Sequence, residues 1–211
     1  MIMINCEACG GNDLKRFGNT VECAYCGSKY TLDKSDNPIS RELTEARIIA
    51  LLGKSIQLHE ADRFGEELEV LTQALEMDEN NTRILVNLGR CYRCLNFPDK
   101  AIECYQKTIE LNPNEGAAYT NMGTIHLLRQ NYEEAAKCYE KGLPTMDKAT
   151  FDYWIAYANY AIPVARLGDP ERAEKMIKEA VAHGYQNGER ARQLAGIEPK
   201  SLFSRIKKLF S

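Results

Sequence analysis

The stretch TRILVNLGRCYRCLNFPDKAIECYQKTIELNPNE, residues 82–115, runs directly into GAAYTNMGTIHLLRQNYEEAAKCYEKGLPTMDKA, residues 116–149. Laid over one another at a spacing of 34 residues, the two agree in type at a set of spaced positions. Leu85, Leu88, Gly89 and Tyr92 of the first fall on Tyr119, Met122, Gly123 and His126 of the second, and Ala101 and Tyr105 fall on Ala135 and Tyr139. Apolar residues recur three or four apart, the period of helices that bury one face. Self-similarity at a fixed period of this size predicts a helical-repeat architecture, in which stacked copies share one continuous core.

Leu85-x2-Leu88-Gly89-x2-Tyr92, then Ala101-x3-Tyr105 and Pro113, resembles the tetratricopeptide repeat family in its period and its signature positions; Tyr119-x2-Met122-Gly123-x2-His126 with Ala135-x3-Tyr139 repeats the pattern. Small Gly89 and Ala101, and likewise Gly123 and Ala135, let the two helices of a hairpin approach closely, while Tyr105 and Tyr139 fill the space between neighbouring hairpins. Degenerate copies flank the central pair. Upstream, Ile49-x2-Leu52-Gly53-x2-Ile56 matches the first-helix pattern with a turn two residues longer. Downstream, Tyr157-x2-Tyr160-Ala161-x2-Val164 is followed by Gly168-Asp169-Pro170 and Ala173-x3-Ile177, with about four extra residues near Pro144 to Thr150. Pro163 is expected to kink that helix. Residues 188–195 read as a helix that caps the stack.

Ahead of the repeats lie Cys6-x2-Cys9 and Cys23-x2-Cys26. Two such pairs can place four thiolates around one Zn²⁺, and Gly10-Gly11 and Gly27 supply the flexible backbone that a knuckle needs. Between the pairs, Leu14, Phe17 and Val21 flank a Gly18-Asn19 turn, and Tyr30-Thr31-Leu32 reads as a closing strand. So few apolar residues need a metal to hold them. The doubled Cys-Glu-Ala-Cys-Gly and Cys-Ala-Tyr-Cys-Gly motif resembles the zinc-ribbon family, which implies one structural Zn²⁺ on Cys6, Cys9, Cys23 and Cys26. Four thiolates leave no open position for catalysis. Residues 1–33 carry three basic and four acidic side chains, a poor surface for phosphates.

The expected organisation is therefore mainly α: a small β zinc ribbon over 1–33, a linker over 34–42, a tetratricopeptide-like α-solenoid of about four helical hairpins with its capping helix over 43–198, and a basic amphipathic tail helix over 199–211. The chain has 211 residues and a net charge of −3, which gives no global attraction for nucleic acid. It shows neither a bilayer-spanning apolar run nor a signal peptide, so a cytoplasmic setting is expected, with its eight cysteines present as thiols or metal ligands. No phosphate loop, nucleophile elbow or paired-carboxylate motif is present, and an enzyme is not expected. Cys91-x2-Cys94 lies inside a helical pattern and lacks the knuckle glycine; Cys104 and Cys138 hold equivalent packing positions.

The family resemblance implies that side chains at six positions of each repeat's first helix face a concave groove. These are Arg47 and Lys54 in the first repeat; Arg83, Asn87, Arg90 and Arg93 in the second; Thr120, Asn121 and Thr124 in the third; and Asn159 and Arg166 in the fourth. Asn87, Asn121 and Asn159 share one position, where an amide can bond both N–H and C=O of an extended peptide. Arginine forks suit carboxylates, so the expected ligand is a peptide, acidic or ending in a free carboxylate. The competing account is that these arginines are solvated and paired with nearby acids. Of the carboxylate clamp that chaperone-binding members use, only Asn87 matches; Ala50, Lys54, Ala117 and Asn121 hold the other positions.

In the tail, Leu202, Phe203, Ile206, Leu209 and Phe210 form an apolar stripe among Lys200, Arg205, Lys207 and Lys208, with no acid. Such a helix can lie on an anionic membrane or fold back onto the last repeat. The function expected from all of this is a non-enzymatic protein-binding adaptor. Its alternative is a nucleic-acid-associated regulator that uses the ribbon; a metal- or redox-responsive switch is a third reading.

Overall fold

The computed structural model describes residues 14–17, 20–31 and 38–197. The chain divides into two compact units, Met1–Gly53 and Lys54–Ser211.

In the first unit, strands β1 (Leu14–Phe17), β2 (Thr20–Cys23) and β3 (Lys29–Thr31) form an antiparallel sheet in the order β1-β2-β3. Leu14 pairs with Cys23 and Phe17 with Thr20; Gly18-Asn19, expected as the turn between them, lies outside the described residues. β2 pairs with β3 from Thr20 opposite Thr31 to Glu22 opposite Lys29. Glu22 and Lys29 also form an ion pair at 3.6 Å, exposed and of little energetic weight. The helix α1 (Pro38–Glu60) opens in the first unit and continues into the second. Its first residue is a proline, which is preorganised for the opening of a helix, so residues 38–42 of the expected linker lie in α1.

The second unit is helical. After the end of α1 come α2 (Phe64–Met77), α3 (Thr82–Cys94), α4 (Pro98–Leu111), α5 (Gly116–Leu128), α6 (Tyr132–Gly142), α7 (Phe151–Arg166), α8 (Pro170–Ala182) and α9 (Gly188–Ala195). α3 pairs with α4, α5 with α6 and α7 with α8; α2 packs on α3, α4 on α5, and α6 on α7. None of the described helices is long and apolar enough to cross a membrane.

All four hairpins turn in the same way. Asp62, Asn96, Gln130 and Gly168 each adopt positive φ, at 55°, 64°, 60° and 110°. The following residue closes the turn by donating its N–H to a carbonyl five residues back: Arg63 to Leu58, Phe97 to Tyr92, Asn131 to His126 and Asp169 to Val164, at 2.8 to 3.1 Å. This bond satisfies a carbonyl that the helix end leaves open. The degenerate outer repeats thus share the turn of the central ones. The two residues that lengthen the first repeat extend α1 before its turn. The four extra residues of the last lie between α6 and α7, in a 3₁₀ turn (Leu143–Thr145) and a loop pinned by Trp154, whose Nε1 donates to the Lys148 carbonyl at 2.9 Å. α7 runs unbroken through buried Pro163.

The core follows the signature positions. Ala101, Ala135 and Ala173 are completely buried, as are Tyr105 and Tyr139. The Tyr105 ring lies across Gly89 so closely that a β-carbon there would stand 2.5 Å from Cε1. The first hairpin departs from the rule: where later repeats place alanine it has Glu67, a carboxylate that accepts from Ser55 Oγ at 3.2 Å and lies 2.8 Å from His59 Nδ1. These polar contacts between α1 and α2 compensate for burying the group.

The last pair is closed by α9, which packs on α7 and α8. Arg166 donates from Nε and Nη2 to the Leu194 carbonyl at 2.9 and 2.7 Å, and Arg192 Nε reaches Glu174 at 2.9 Å.

Replacing Gly89 by Ala should cost about 1–3 kcal/mol, because Tyr105 cannot move without disturbing the packing. Replacing Gly53, which has nothing within 4 Å of an added β-carbon, should instead stabilise by roughly 0.5–1 kcal/mol. Urea denaturation of the two variants checks both signs.

Candidate functional site

The first helices of successive hairpins lie side by side: α3 contacts α5, and α5 contacts α7. Their residues three and four apart share a face. On α3, Arg83 is exposed, while Asn87, Arg90 and Arg93 are half-buried. Asn121 on α5 and Asn159 on α7 are also half-buried. Lys54, on the part of α1 in the second unit, is exposed; Arg47 is exposed in the first unit.

Arg90 Nη1 donates to Asn87 Oδ1 at 3.4 Å, so the amide orients the guanidinium. Asn121 spends one N–H on its own helix, donating from Nδ2 to the Ala117 carbonyl at 2.8 Å, and no described residue donates to its Oδ1. Arg83, Arg90 and Arg93 form no ion pair with any described residue, whereas Arg63, Arg129 and Arg192 do, with Glu66, Asp99 and Glu174.

Other side chains expected on this face have different roles. Thr120 is buried, and its hydroxyl bonds the Gly116 carbonyl at 3.1 Å. Thr124 Oγ1 meets Tyr139 OH at 3.0 Å. Arg166 is engaged by the end of α9. In each case a nearby packing partner takes the polar group. The sequence pattern did not single out Tyr105 as a polar group, yet its buried hydroxyl has no hydrogen-bond partner among the described residues, and neither has Arg93 Nε or His126 Nδ1.

Three thiols of the repeats, Cys91, Cys104 and Cys138, are held protonated and are poor nucleophiles. Burial first, then the charge of Glu67, pushes the Cys91 thiol up to about 12, and its Sγ donates to the Phe64 carbonyl at 3.2 Å. Burial pushes Cys104 up to about 11 and also raises Cys138. Thiols held protonated neither attack nor bind metal readily.

At the head of the chain, Cys23 ends β2 and is buried, while Cys26 is exposed on the following turn. Gly27 N–H donates to the Cys23 carbonyl at 2.9 Å, Cys23 N–H donates to the Ser28 carbonyl at 3.0 Å, and Gly27 adopts φ 71°. A tight reversal closed by a left-handed glycine just past the second cysteine is what a two-thiolate knuckle requires. Cys6 and Cys9 lie outside the described residues, as do Leu202, Phe203, Ile206, Leu209 and Phe210 of the tail. Among the described residues no three His, Cys, Asp or Glu side chains gather in a metal-binding group.

Residues 82–148 match the family model described as Tetratricopeptide repeat. No curated protein matches the sequence significantly. Among solved structures, the chain is similar to pilF of Pseudomonas aeruginosa, with a TM-score of 0.60 and 16% identity, covering 67% of this chain and 63% of that one. It thus spans somewhat under two thirds of that protein's length. It is similar to the first repeat domain of Spaghetti (RPAP3) bound to the HSP90 peptide SRMEEVD, with a TM-score of 0.51 and 21% identity, covering 58% of this chain and 94% of that one. It is also similar to a mutant O-GlcNAc transferase of Thermobaculum terrenum, with a TM-score of 0.57 and 18% identity, covering 66% of this chain and 26% of that one. At these identities the likeness is one of fold: the helical body is similar to tetratricopeptide-repeat structures, with the family model matched over residues 82–148.

Proposed function

We propose that this protein is a non-enzymatic adaptor whose α3–α5–α7 face holds an extended peptide segment that is acidic or ends in a free carboxylate. The observation that carries the reading is the set of arginines on α3, Arg83, Arg90 and Arg93, which form no ion pair with any described residue and lie beside a row of half-buried asparagines. Amides satisfy a peptide backbone of any sequence, and guanidinium forks supply the preference for carboxylates. A protein of similar fold holds a carboxylate-rich peptide, which supports the ligand class. Arg47 and Lys54 add positive charge on α1.

The head is proposed to bind one structural Zn²⁺ through Cys6, Cys9, Cys23 and Cys26 and to serve as a second docking module. The Cys23–Gly27 turn supports this, and the ion would supply folding energy rather than chemistry. The basic tail is proposed to touch an anionic membrane from the cytoplasmic side, a reading supported by its composition alone.

Three measurements test these parts. Arg83→Glu with Arg90→Glu should weaken binding of the probe peptide SRMEEVD at least tenfold without changing helicity; unchanged affinity removes the peptide-binding reading. Native mass spectrometry should find one zinc per chain, lost in Cys23→Ser, while the melting of the repeats is unaffected; a metal-free wild type refutes the head assignment. Removing residues 199–211 should abolish sedimentation with phosphatidylserine vesicles, and equal sedimentation of the two chains excludes a membrane role for the tail.

A further inference from the structure

Tyr105 and Tyr139 sit 34 residues apart at the same position of successive repeats, and both are fully buried. Their hydroxyls have different fates. Tyr139 OH meets Thr124 Oγ1 at 3.0 Å. The residue of the preceding repeat that corresponds to Thr124 is Arg90, whose guanidinium is turned toward Asn87. Tyr105 OH is consequently left with no hydrogen-bond partner among the described residues. Arg93, one turn after Arg90, stands beside the phenol as a donor that can reach only its oxygen, and its own buried Nε–H has no partner among the described residues.

Burial holds the Tyr105 phenol well above its ordinary pKa despite the two neighbouring arginines, so the hydroxyl keeps its proton and can donate. An Nε–H can only donate. The phenol oxygen can accept from Arg93, but the phenol proton and the Nε–H have no acceptor among the described residues, and the local charge is positive, with no ion pair from the rest of the described chain to neutralise it. Leaving such groups unmet is unfavourable, so a ligand that supplies a negatively charged acceptor is favoured here.

Building on the peptide-binding reading of this face, we propose that Arg90, Arg93 and the Tyr105 hydroxyl form a subsite for a single carboxylate of the bound segment. A carboxylate offers two oxygens in a plane, which fits a guanidinium edge and leaves a lone pair for the phenol. The half-buried Arg93 is the side chain that turns to admit it. The subsite is separate from the clamp positions Ala50, Lys54, Asn87, Ala117 and Asn121, and it exists because an arginine replaces the hydroxyl residue that elsewhere satisfies the tyrosine.

The test uses the full chain, with Tyr105→Phe and Tyr139→Phe as a matched pair. Tyr105→Phe removes an unmet hydroxyl and leaves the ring against Gly89, so its melting temperature should hold or rise while affinity for the acidic heptapeptide falls about tenfold. Tyr139→Phe should lower the melting temperature and leave affinity intact. In NMR spectra of arginine side chains, succinate should shift the Arg93 Nε–H signal, and inorganic phosphate should do so less. Equal peptide affinity for Tyr105→Phe and wild type overturns the subsite, as does an Arg93 signal that ignores succinate or follows phosphate alone. If affinity survives Tyr105→Phe but is lost in the Arg83→Glu, Arg90→Glu protein, the peptide-binding face stands and only the subsite falls. A wild type that does not bind the peptide overturns both. Should Tyr105→Phe fold poorly, Arg93→Lys keeps the charge but removes Nε; a tenfold loss there supports the subsite, and wild-type affinity refutes it.

Discussion

The packing of a tyrosine ring across a glycine is the contact on which the repeats depend. Tyr105 crosses Gly89 and Tyr139 crosses Gly123, each ring coming from the second helix of a hairpin onto the first. Without a side chain on the glycine the helices approach closely enough for one ring to fill the gap, and a β-carbon at either site would force the ring aside. With that distance set, the small residues Ala101 and Ala135 become necessary on the facing helix, and both are completely buried. The left-handed turn residues follow from the same closeness, because helices packed this tightly can be joined only by a three-residue reversal such as Leu95–Phe97 or Arg129–Asn131.

The ring also carries a hydroxyl into the interior, and each repeat has to deal with it. The third does so with Thr124, an inexpensive solution that hides the group. The second places Arg90 there and leaves the hydroxyl unmet. A buried polar group retained without a partner is unusual enough to need a reason. The first hairpin shows that this chain can satisfy a more demanding group when it has no other use for it: the Glu67 carboxylate, set where alanine is the rule, has both Ser55 and His59.

The repeat body was largely legible in the sequence because a period is a collective signal. A 34-residue spacing with glycine, alanine and tyrosine in register predicts hairpins, and even the irregularities were readable: two added residues before Asp62 and four between α6 and α7 appear as offsets in the register. The capping helix at 188–195 was legible for a similar reason, as an amphipathic segment following the last copy. Individual polar side chains were not. Whether Thr120 faces a ligand or its own backbone, and whether Arg166 is available or holds the end of α9, depends on contacts 4 to 28 residues away that no local pattern encodes. The rows of positions that the family resemblance assigns to a groove therefore include residues that the fold has already engaged. At the head, the Gly27 turn was readable from composition, since few residues tolerate such a turn.

Removing the engaged residues makes the electrostatic argument stronger. A chain of net charge −3 has ample acid with which to neutralise its arginines, and it does so at Arg63, Arg129 and Arg192. Arg83, Arg90 and Arg93 lie on one helix and form no ion pair among the described residues, although exposed ion pairs are easily formed and carry almost no cost. Placing three like charges within three turns disfavours the folded helix by their mutual repulsion. An anionic ligand reverses that term on binding, so the repulsion in the free protein becomes a source of selectivity: a neutral peptide could use the asparagines but would leave the arginines as they are. The asparagines are thus suited to recognising an extended backbone, and α3 to deciding which backbones are held.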